Sequence, residues 1–363
     1  MPLVDTRFAT RRRKLASMLA AQRVDEMLVT NLIHVRYLSG FSGSNAALKV
    51  AKDLTASIST DGRYTTQIAA EVPDIEAVIE RQCAEALLSS VAEGRRVGFE
   101  ADYVSVAALE RLKKACPEGV TLVPVTGVLE EIRLTKDPLE LQRLTEAAEL
   151  AAQALSGLVA SGELAAGRTE RDVAADLEYR MRVLGAERPS FDTIVASGPN
   201  SAMPHYNAGD RTLVDGDLVT IDFGMHRLGF NSDMTRTFVI GHATDFAAEI
   251  YDVVLRAQLA GVAAATPGTK LADVDRAARD VIVEAGYGDY FVHSTGHGIG
   301  LEVHEAPAAA RTGTGVLKEN MLLTIEPGVY VPGKGGVRIE DTLIITSGAP
   351  KIITEWDKQL TVI

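Results

Sequence analysis

Residues 218–224, Leu-Val-Thr-Ile-Asp-Phe-Gly, and 230–240, Phe-Asn-Ser-Asp-Met-Thr-Arg-Thr-Phe-Val-Ile, flank the turn sequence His226-Arg227-Leu228-Gly229. Both segments are rich in β-branched and aromatic side chains, which favour strands. A glycine in last place suits a chain reversal. A reversal centred there makes an antiparallel pair in which Asp222 lies opposite Asp233, their Cβ atoms about 5 Å apart. Two carboxylates so placed repel unless a proton or a cation separates them.

Outward from this hairpin the sequence is helical on one side and then repeats itself on the other. Upstream, Asp137 can cap a helix, Pro138 suits its first turn, and Glu140 completes a capping box. Leu141, Leu144, Ala148, Ala151, Leu155 and Leu158 then recur at steps of three and four, as one buried helix face requires. Thr169 starts a second helix, with Val173, Leu177, Met181 and Leu184 inward, and Phe191 to Ala196 reads as a strand. Downstream, helical stretches at about 245–265 and 270–285, the latter ended by Gly286, precede strand-like segments near 290–294, 321–326 and 337–346. The order of elements repeats. We expect an α+β domain of two similar halves, each two helices followed by an antiparallel sheet segment.

The second half carries its own carboxylate pair. Glu326 ends the apolar run Met321-Leu322-Leu323-Thr324-Ile325, and Glu340 follows Val337-Arg338-Ile339 after the loop Pro332-Gly333-Lys334-Gly335-Gly336. Four inward carboxylates among apolar neighbours would be badly destabilising without cations. His297, in Ser294-Thr295-Gly296-His297-Gly298-Ile299-Gly300, is the fifth candidate ligand; its flanking glycines allow close backbone approach. Five ligands exceed the needs of one catalytic ion and suit two, about 3.5–4 Å apart. An oxygen-rich set with one imidazole favours Mn²⁺ or Co²⁺, with Fe²⁺ or Zn²⁺ compatible. Arg338 and Glu340, two apart on a strand, share a face, so the guanidinium can orient a carboxylate there.

Residues 1–128 alternate helical and strand-like stretches as an α/β domain does, with strands at Met27-Leu28-Val29, Ala56-Ser57-Ile58, Ala77-Val78-Ile79 and Val120-Thr121-Leu122-Val123. This domain has no cluster of potential ligands, which suggests a supporting or substrate-shaping role; residues 129–363 form the catalytic domain. Two domains agree with 363 residues, more than one core normally serves. A net charge of -12 argues against nucleic-acid and anionic-membrane partners. The basic run Arg11-Arg12-Arg13-Lys14 leads into Leu15, Met18 and Leu19 and reads as a solvated helix edge. Cys83 and Cys116 are read as buried free thiols of a reducing compartment. With no secretory pattern and no run long enough to span a bilayer, a cytoplasmic location is expected. His34, His226 and His242 have no companions in the sequence that argue for a function.

At the candidate ligands the chain resembles the proline-specific metallopeptidases of the pita-bread fold, aminopeptidase P and prolidase. The matching stretches are TIDFG at 220–224, SDMTRT at 232–237, TGHGIGLEVHEAP at 295–307, TIEPGVY at 324–330 and GVRIED at 336–341. NLIHVRYLSGFSGSN at 31–45 and TDGRY at 60–64 look like the same family's N-terminal domain. The resemblance implies that Asp222 binds one metal, that Asp233 and Glu340 bridge, and that His297 and Glu326 bind the other. It assigns His205 and His304 to the substrate site, Arg338 to the active site and Tyr330 to a place behind it. His293 either lines the pocket or is structural. Glu326 is the expected general base, and His304 or His205 the donor to a developing oxyanion. The expected activity is cleavage of the Xaa-Pro bond at peptide N-termini by an Xaa-Pro aminopeptidase. The alternatives are an Xaa-Pro dipeptidase restricted to dipeptides and a peptide-binding module on the same scaffold. The resemblance also implies a homodimer or homotetramer.

Overall fold

A computed structural model describes residues 6–363, and the chain divides after Arg133 into two compact units. The first unit is built on a six-stranded mixed sheet of β1 (Glu26–Val29), β2 (Ala46–Ala51), β3 (Ala56–Thr60), β4 (Glu76–Ile79), β5 (Arg96–Glu100) and β6 (Thr121–Val125), in the order β4-β3-β2-β1-β5-β6. Its helices are α1 (Thr6–Met18), α2 (Leu32–Ser39), α3 (Thr65–Glu71), α4 (Cys83–Ser89), α5 (Val106–Ala115) and α6 (Val128–Arg133). Leu28, Ala47, Leu87, Leu88, Val97 and Leu112 form one of its apolar clusters. Cys83 is a buried free thiol, whereas Cys116 is only half-buried.

One expectation for this unit fails. Arg11 and Arg12 are buried rather than solvated. The Arg11 guanidinium donates to the Tyr37 carbonyl and stacks on the Tyr37 ring, 4.1 Å from its centroid. Arg12 donates to the Leu38 carbonyl and pairs with Asp74. Only Arg13 and Lys14 keep the exposed edge. His34 has structural partners: its Nδ1 faces Glu100 Oε1 at 2.5 Å, and Arg133 donates to its Nε2 at 2.8 Å. A guanidinium can only donate, so His34 is fixed as the neutral tautomer with its proton on Nδ1. These partners lie far away in sequence, beyond the reach of local spacing.

The second unit shows the repeat. In its first half, α7 (Pro138–Ala160) and α8 (Glu170–Val183) precede β7 (Arg188–Pro189), β8 (Ile194–Ser197), β9 (Leu218–Phe223), β10 (Met225–Arg227), β11 (Phe230–Asn231) and β12 (Met234–Val239). In its second, α9 (Asp245–Ala264) and α10 (Leu271–Glu284) precede β13 (Gly296–Gly298), β14 (Glu305–Ala309), β15 (Leu322–Ile325), β16 (Gly328–Val331), β17 (Gly335–Arg338) and β18 (Asp341–Ile344). Asp137 and Glu140 make the expected capping box on α7, and Thr169 caps α8. Leu155, Leu158, Val173, Leu177 and Met181 pack under β8, β9 and β12. Ile250, Val254, Ala257 and Ile282 pack against Val329, Val337 and Ile339. No helix among the described residues is long and apolar enough to cross a membrane.

Residues 290–294 form no strand; a short 3-10 turn at Gly288–Tyr290 runs into irregular chain. The first hairpin also turns one residue later than expected, which moves each cross-strand partner by two. Leu228 and Gly229 both take positive φ, 51° and 86°, and Arg227 pairs with Phe230. That tight two-residue reversal is the one whose twist matches a hairpin. It places Asp222 opposite Thr235, not Asp233. Asp233 instead lies between β11 and β12, outside regular pairing.

Candidate metal centre

Asp222, Asp233, His297, Glu326 and Glu340 all line one cavity of about 480 Å³ in the second unit, together with Arg338, His205, His293 and His304. The strands explain how. β15/β18 and β16/β17 are two short ladders, ending at Ile325–Asp341 and beginning at Gly328–Arg338. Glu326 and Glu340 occupy the gap between them. Ile339 points into the apolar core while Arg338 and Glu340, on either side of it, face the cavity. Side-chain alternation therefore survives the break in hydrogen bonding.

His297 sits on β13, whose register with β14 shifts between His297 and Gly298. A Cβ at Gly296 would lie 1.7 Å from the Thr324 carbonyl oxygen, and one at Gly298 2.2 Å from that of Ala306. Only glycine allows this approach. The irregularity also brings His304 beside His297, with ring centroids 4.4 Å apart.

The donor set fits divalent cations. Ligand atoms of Asp233, His297 and Glu340 all lie within 4.8 Å of one another. His297 Nδ1 donates to the Gly298 carbonyl, which leaves its Nε2 lone pair facing Asp233 Oδ2 at 3.5 Å and Glu326 Oε1 at 3.3 Å. Acceptors confronting one another are unfavourable unless a cation lies among them. Asp222 Oδ1 and Glu340 Oε1 are likewise buried acceptors without a hydrogen-bond partner. Burial raises the carboxyls of Asp233 and Glu340 well above their ordinary range, reinforced at Asp233 by Glu340 and at Glu340 by Glu326. Glu326 is pushed up to about 8, again chiefly by burial. Cations would hold all three ionised.

Around these ligands, polar contacts set orientation. Arg338 is buried and donates to Asp222 Oδ2 at 2.6 Å, the Tyr330 hydroxyl at 2.7 Å and Thr235 Oγ1 at 3.1 Å. Thr235 in turn donates to Glu340 Oε2 at 2.8 Å. Tyr330 lies behind the cavity wall and donates to His293 Nε2 at 2.8 Å. His293 does line the cavity. Its Nδ1 donates to the Ser294 carbonyl, so both ring nitrogens are occupied, and burial lowers its pKa to about 4. His205 and His304 are exposed to the cavity. Sequence reasoning missed Phe191, Asp192, Ile194, Tyr206 and Asn207 in the wall, and Thr235 between Arg338 and Glu340. Tyr206 and Asn207 directly follow His205, and Thr235 lies inside the SDMTRT stretch; both proximities were usable signals.

Residues 142–347 match metallopeptidase family M24, and residues 11–135 match the creatinase/prolidase N-terminal domain. The Xaa-Pro dipeptidase of Pyrococcus furiosus is 36% identical over 353 residues, covering 96% of this chain and 99% of that one. A solved Xaa-Pro dipeptidase from Bacillus anthracis superposes with a TM-score of 0.94 at 38% identity, covering 98% of this chain and all of that one. A solved X-Pro aminopeptidase from Thermotoga maritima gives 0.87 at 33% identity, with coverage of 97% and 99%. These likenesses run through both units, with the fold of prolidases. They establish that the chain belongs to metallopeptidase family M24.

Proposed function

We propose that the chain is a two-metal exopeptidase that hydrolyses Xaa-Pro dipeptides. The observation that carries the chemistry is the convergence of Asp233, His297 and Glu340, with buried carboxylate oxygens beside them that have no other partner. The preference for dipeptides is supported by the relatives: sequence expectation leaned to an aminopeptidase, but the Bacillus and Pyrococcus dipeptidases are more similar to this chain than the Thermotoga aminopeptidase is. The full ligand set weighs against a binding module.

Bound at the five ligands, two divalent cations, Mn²⁺ by preference, would supply an acidified water and polarise the scissile carbonyl. Glu326, a carboxylate in the cavity, would serve as the general base, taking a proton from the attacking water and passing it to the proline nitrogen. His304 or His205 donates to the oxygen on which charge develops. Arg338 holds Asp222 in place through a charged hydrogen bond of 2.6 Å. An Xaa-Pro bond offers no amide N–H and has a fixed φ, so its recognition must rest on the shape of the ring; Phe191 and Ile194 supply apolar wall for it. By family resemblance we expect a cytoplasmic homo-oligomer.

The test is chelation followed by re-addition of Mn²⁺ or Co²⁺, assayed on Ala-Pro and Ala-Pro-Ala. Activity should vanish, return with metal, and favour the dipeptide. Undiminished activity without metal would sink the mechanism; equal turnover of the tripeptide would return the reading to an aminopeptidase.

A further inference from the structure

Glu170, the first residue of α8, is completely buried, yet it is neither a ligand nor a lining residue. Its two oxygens collect five donors. Oε1 accepts from Ser197 N at 2.8 Å, Ser197 Oγ at 2.6 Å and Asn200 Nδ2 at 3.0 Å. Oε2 accepts from the Tyr206 hydroxyl at 2.7 Å and Gly209 N at 3.3 Å. A carboxylate offers about four lone-pair directions, so this one is saturated. Every donor but the Ser197 pair comes from the segment between β8 and β9.

That segment needs such an anchor. After a short 3-10 turn at Gly198–Ala202 it has almost no regular structure, yet four of its consecutive residues, Pro204 to Asn207, form a wall of the metal cavity. On the cavity side it is tied by Arg338, which donates to the Pro204 carbonyl at 3.3 Å. On the opposite side Asn200 links Tyr206 and Glu170, donating to both. His205 makes no hydrogen bond to other described residues, so its place depends on these neighbours.

We propose that Glu170 is a positioning residue for the substrate wall of the metal centre, holding through Asn200, Tyr206 and Gly209 the segment that presents His205 to the cavity. The inference rests on the reading of that cavity as an Xaa-Pro peptidase site. Glutamine at position 170 keeps the shape but turns one of the two acceptors into a donor, so at least one of these N–H or O–H groups meets another donor. The wall loosens, while the metal ligands, on other elements, are untouched.

The experiment uses the full-length, metal-loaded protein and compares Glu170→Gln, His205→Ala and their combination. Amide exchange of residues 198–209 should quicken about tenfold or more in Glu170→Gln, while β9 and β12 stay protected. With metal content unchanged, kcat/KM on Ala-Pro should fall roughly 10- to 100-fold, as misplacement of a positioning group does. In the His205→Ala background the further fall should be less than about threefold, because the two residues act as one unit. Unchanged exchange at 198–209, an equal fall in both backgrounds, or loss of metal would each overturn the proposal. If Glu170→Gln does not fold, Tyr206→Phe removes a single tether and must show the same local exchange. If the parent protein fails to cleave Ala-Pro, the functional reading falls, and the exchange measurement still decides the role of Glu170.

Discussion

The two halves of the catalytic unit supply their carboxylates differently. In the first, Asp222 lies inside a regular six-pair ladder opposite Thr235 and is held by Arg338, while Asp233 lies where pairing stops. In the second, both Glu326 and Glu340 lie in the gap between two ladders. A carboxylate in a ladder has its direction set by backbone pairing and here has a cationic partner. One in a gap is placed by burial and by what it binds. The gap residues are three whose carboxyls are driven upward, chiefly by burial and further by neighbouring carboxylates that include Asp222. Repetition of the fold therefore delivers four acids in unequal electrostatic surroundings.

The largest effect should come from breaking that inequality. Asp233→Ala or Glu340→Ala should lose bound metal and about 10³-fold in kcat together, the scale of losing a preorganised electrostatic contact in the transition state. Asp222→Ala should retain more metal, since the gap carboxylates and His297 remain. Metal per chain, measured by elemental analysis beside kcat, is the check. Full metal occupancy in Asp233→Ala would remove the bridging assignment, and equal metal loss in Asp222→Ala would remove the contrast between ladder and gap.

Much of this contrast was legible in the sequence, but not its geometry. The five candidate ligands that meet in one cavity, the capping box at Asp137 and the repeated order of elements were readable because each is a local pattern. The Asp222–Asp233 pairing was misread because register hinges on whether the reversal is centred on Arg227-Leu228 or on Leu228-Gly229. The choice fell to a positive φ at Leu228, which a leucine does not advertise. Buried Arg11 and Arg12, and the pairing of His34 with Glu100 and Arg133, depend on residues 26 to 99 positions away. Tethers such as Glu170 escaped for the same reason: a buried carboxylate one residue past a helix cap looks like a favourable charge at a helix N-terminus.

A second, smaller effect should appear in the metal-free protein. The folded-state pKa of Glu326 is about 8, above the ordinary glutamate value of 4.5, and Asp233 and Glu340 move in the same direction. A carboxyl raised in this way binds more protons folded than unfolded. Its stabilisation is complete below the unfolded pKa and is lost as pH rises through the folded one. Metal-free protein should therefore melt at progressively lower temperature from about pH 5 to pH 8, whereas metal-loaded protein, whose carboxylates stay ionised, should not follow that slope. Calorimetry of both forms across this range is decisive. A metal-free melting temperature that climbs with pH would mean that the gap carboxylates are compensated by something other than cations.

The smallest effect lies in the helices that carry the two halves. α8 and α10 are both 14 residues long, but their first turns differ. Thr169 caps α8, accepting from Asp172 N at 3.1 Å, and Asp172 reaches back to Thr169 N. Lys270, at the equivalent place on α10, has the extended backbone of a cap, φ -68° and ψ 140°, but makes no side-chain capping bond. It also puts a positive charge at the end of the helix dipole that favours a negative one. Thr169→Ala should cost about 1 kcal/mol, the usual loss of a threonine cap, and lower the melting temperature by about 2–4 °C for a unit of this size. Lys270→Asp should move the other way by a similar or smaller amount, because the backbone is already set and only the acceptor is missing. Lys270 lies outside the cavity lining, so kcat should hold in Lys270→Asp. Equal and negligible shifts would mean that packing alone fixes both helix starts; a destabilised Lys270→Asp would show that Lys270 has a role its missing cap does not reveal.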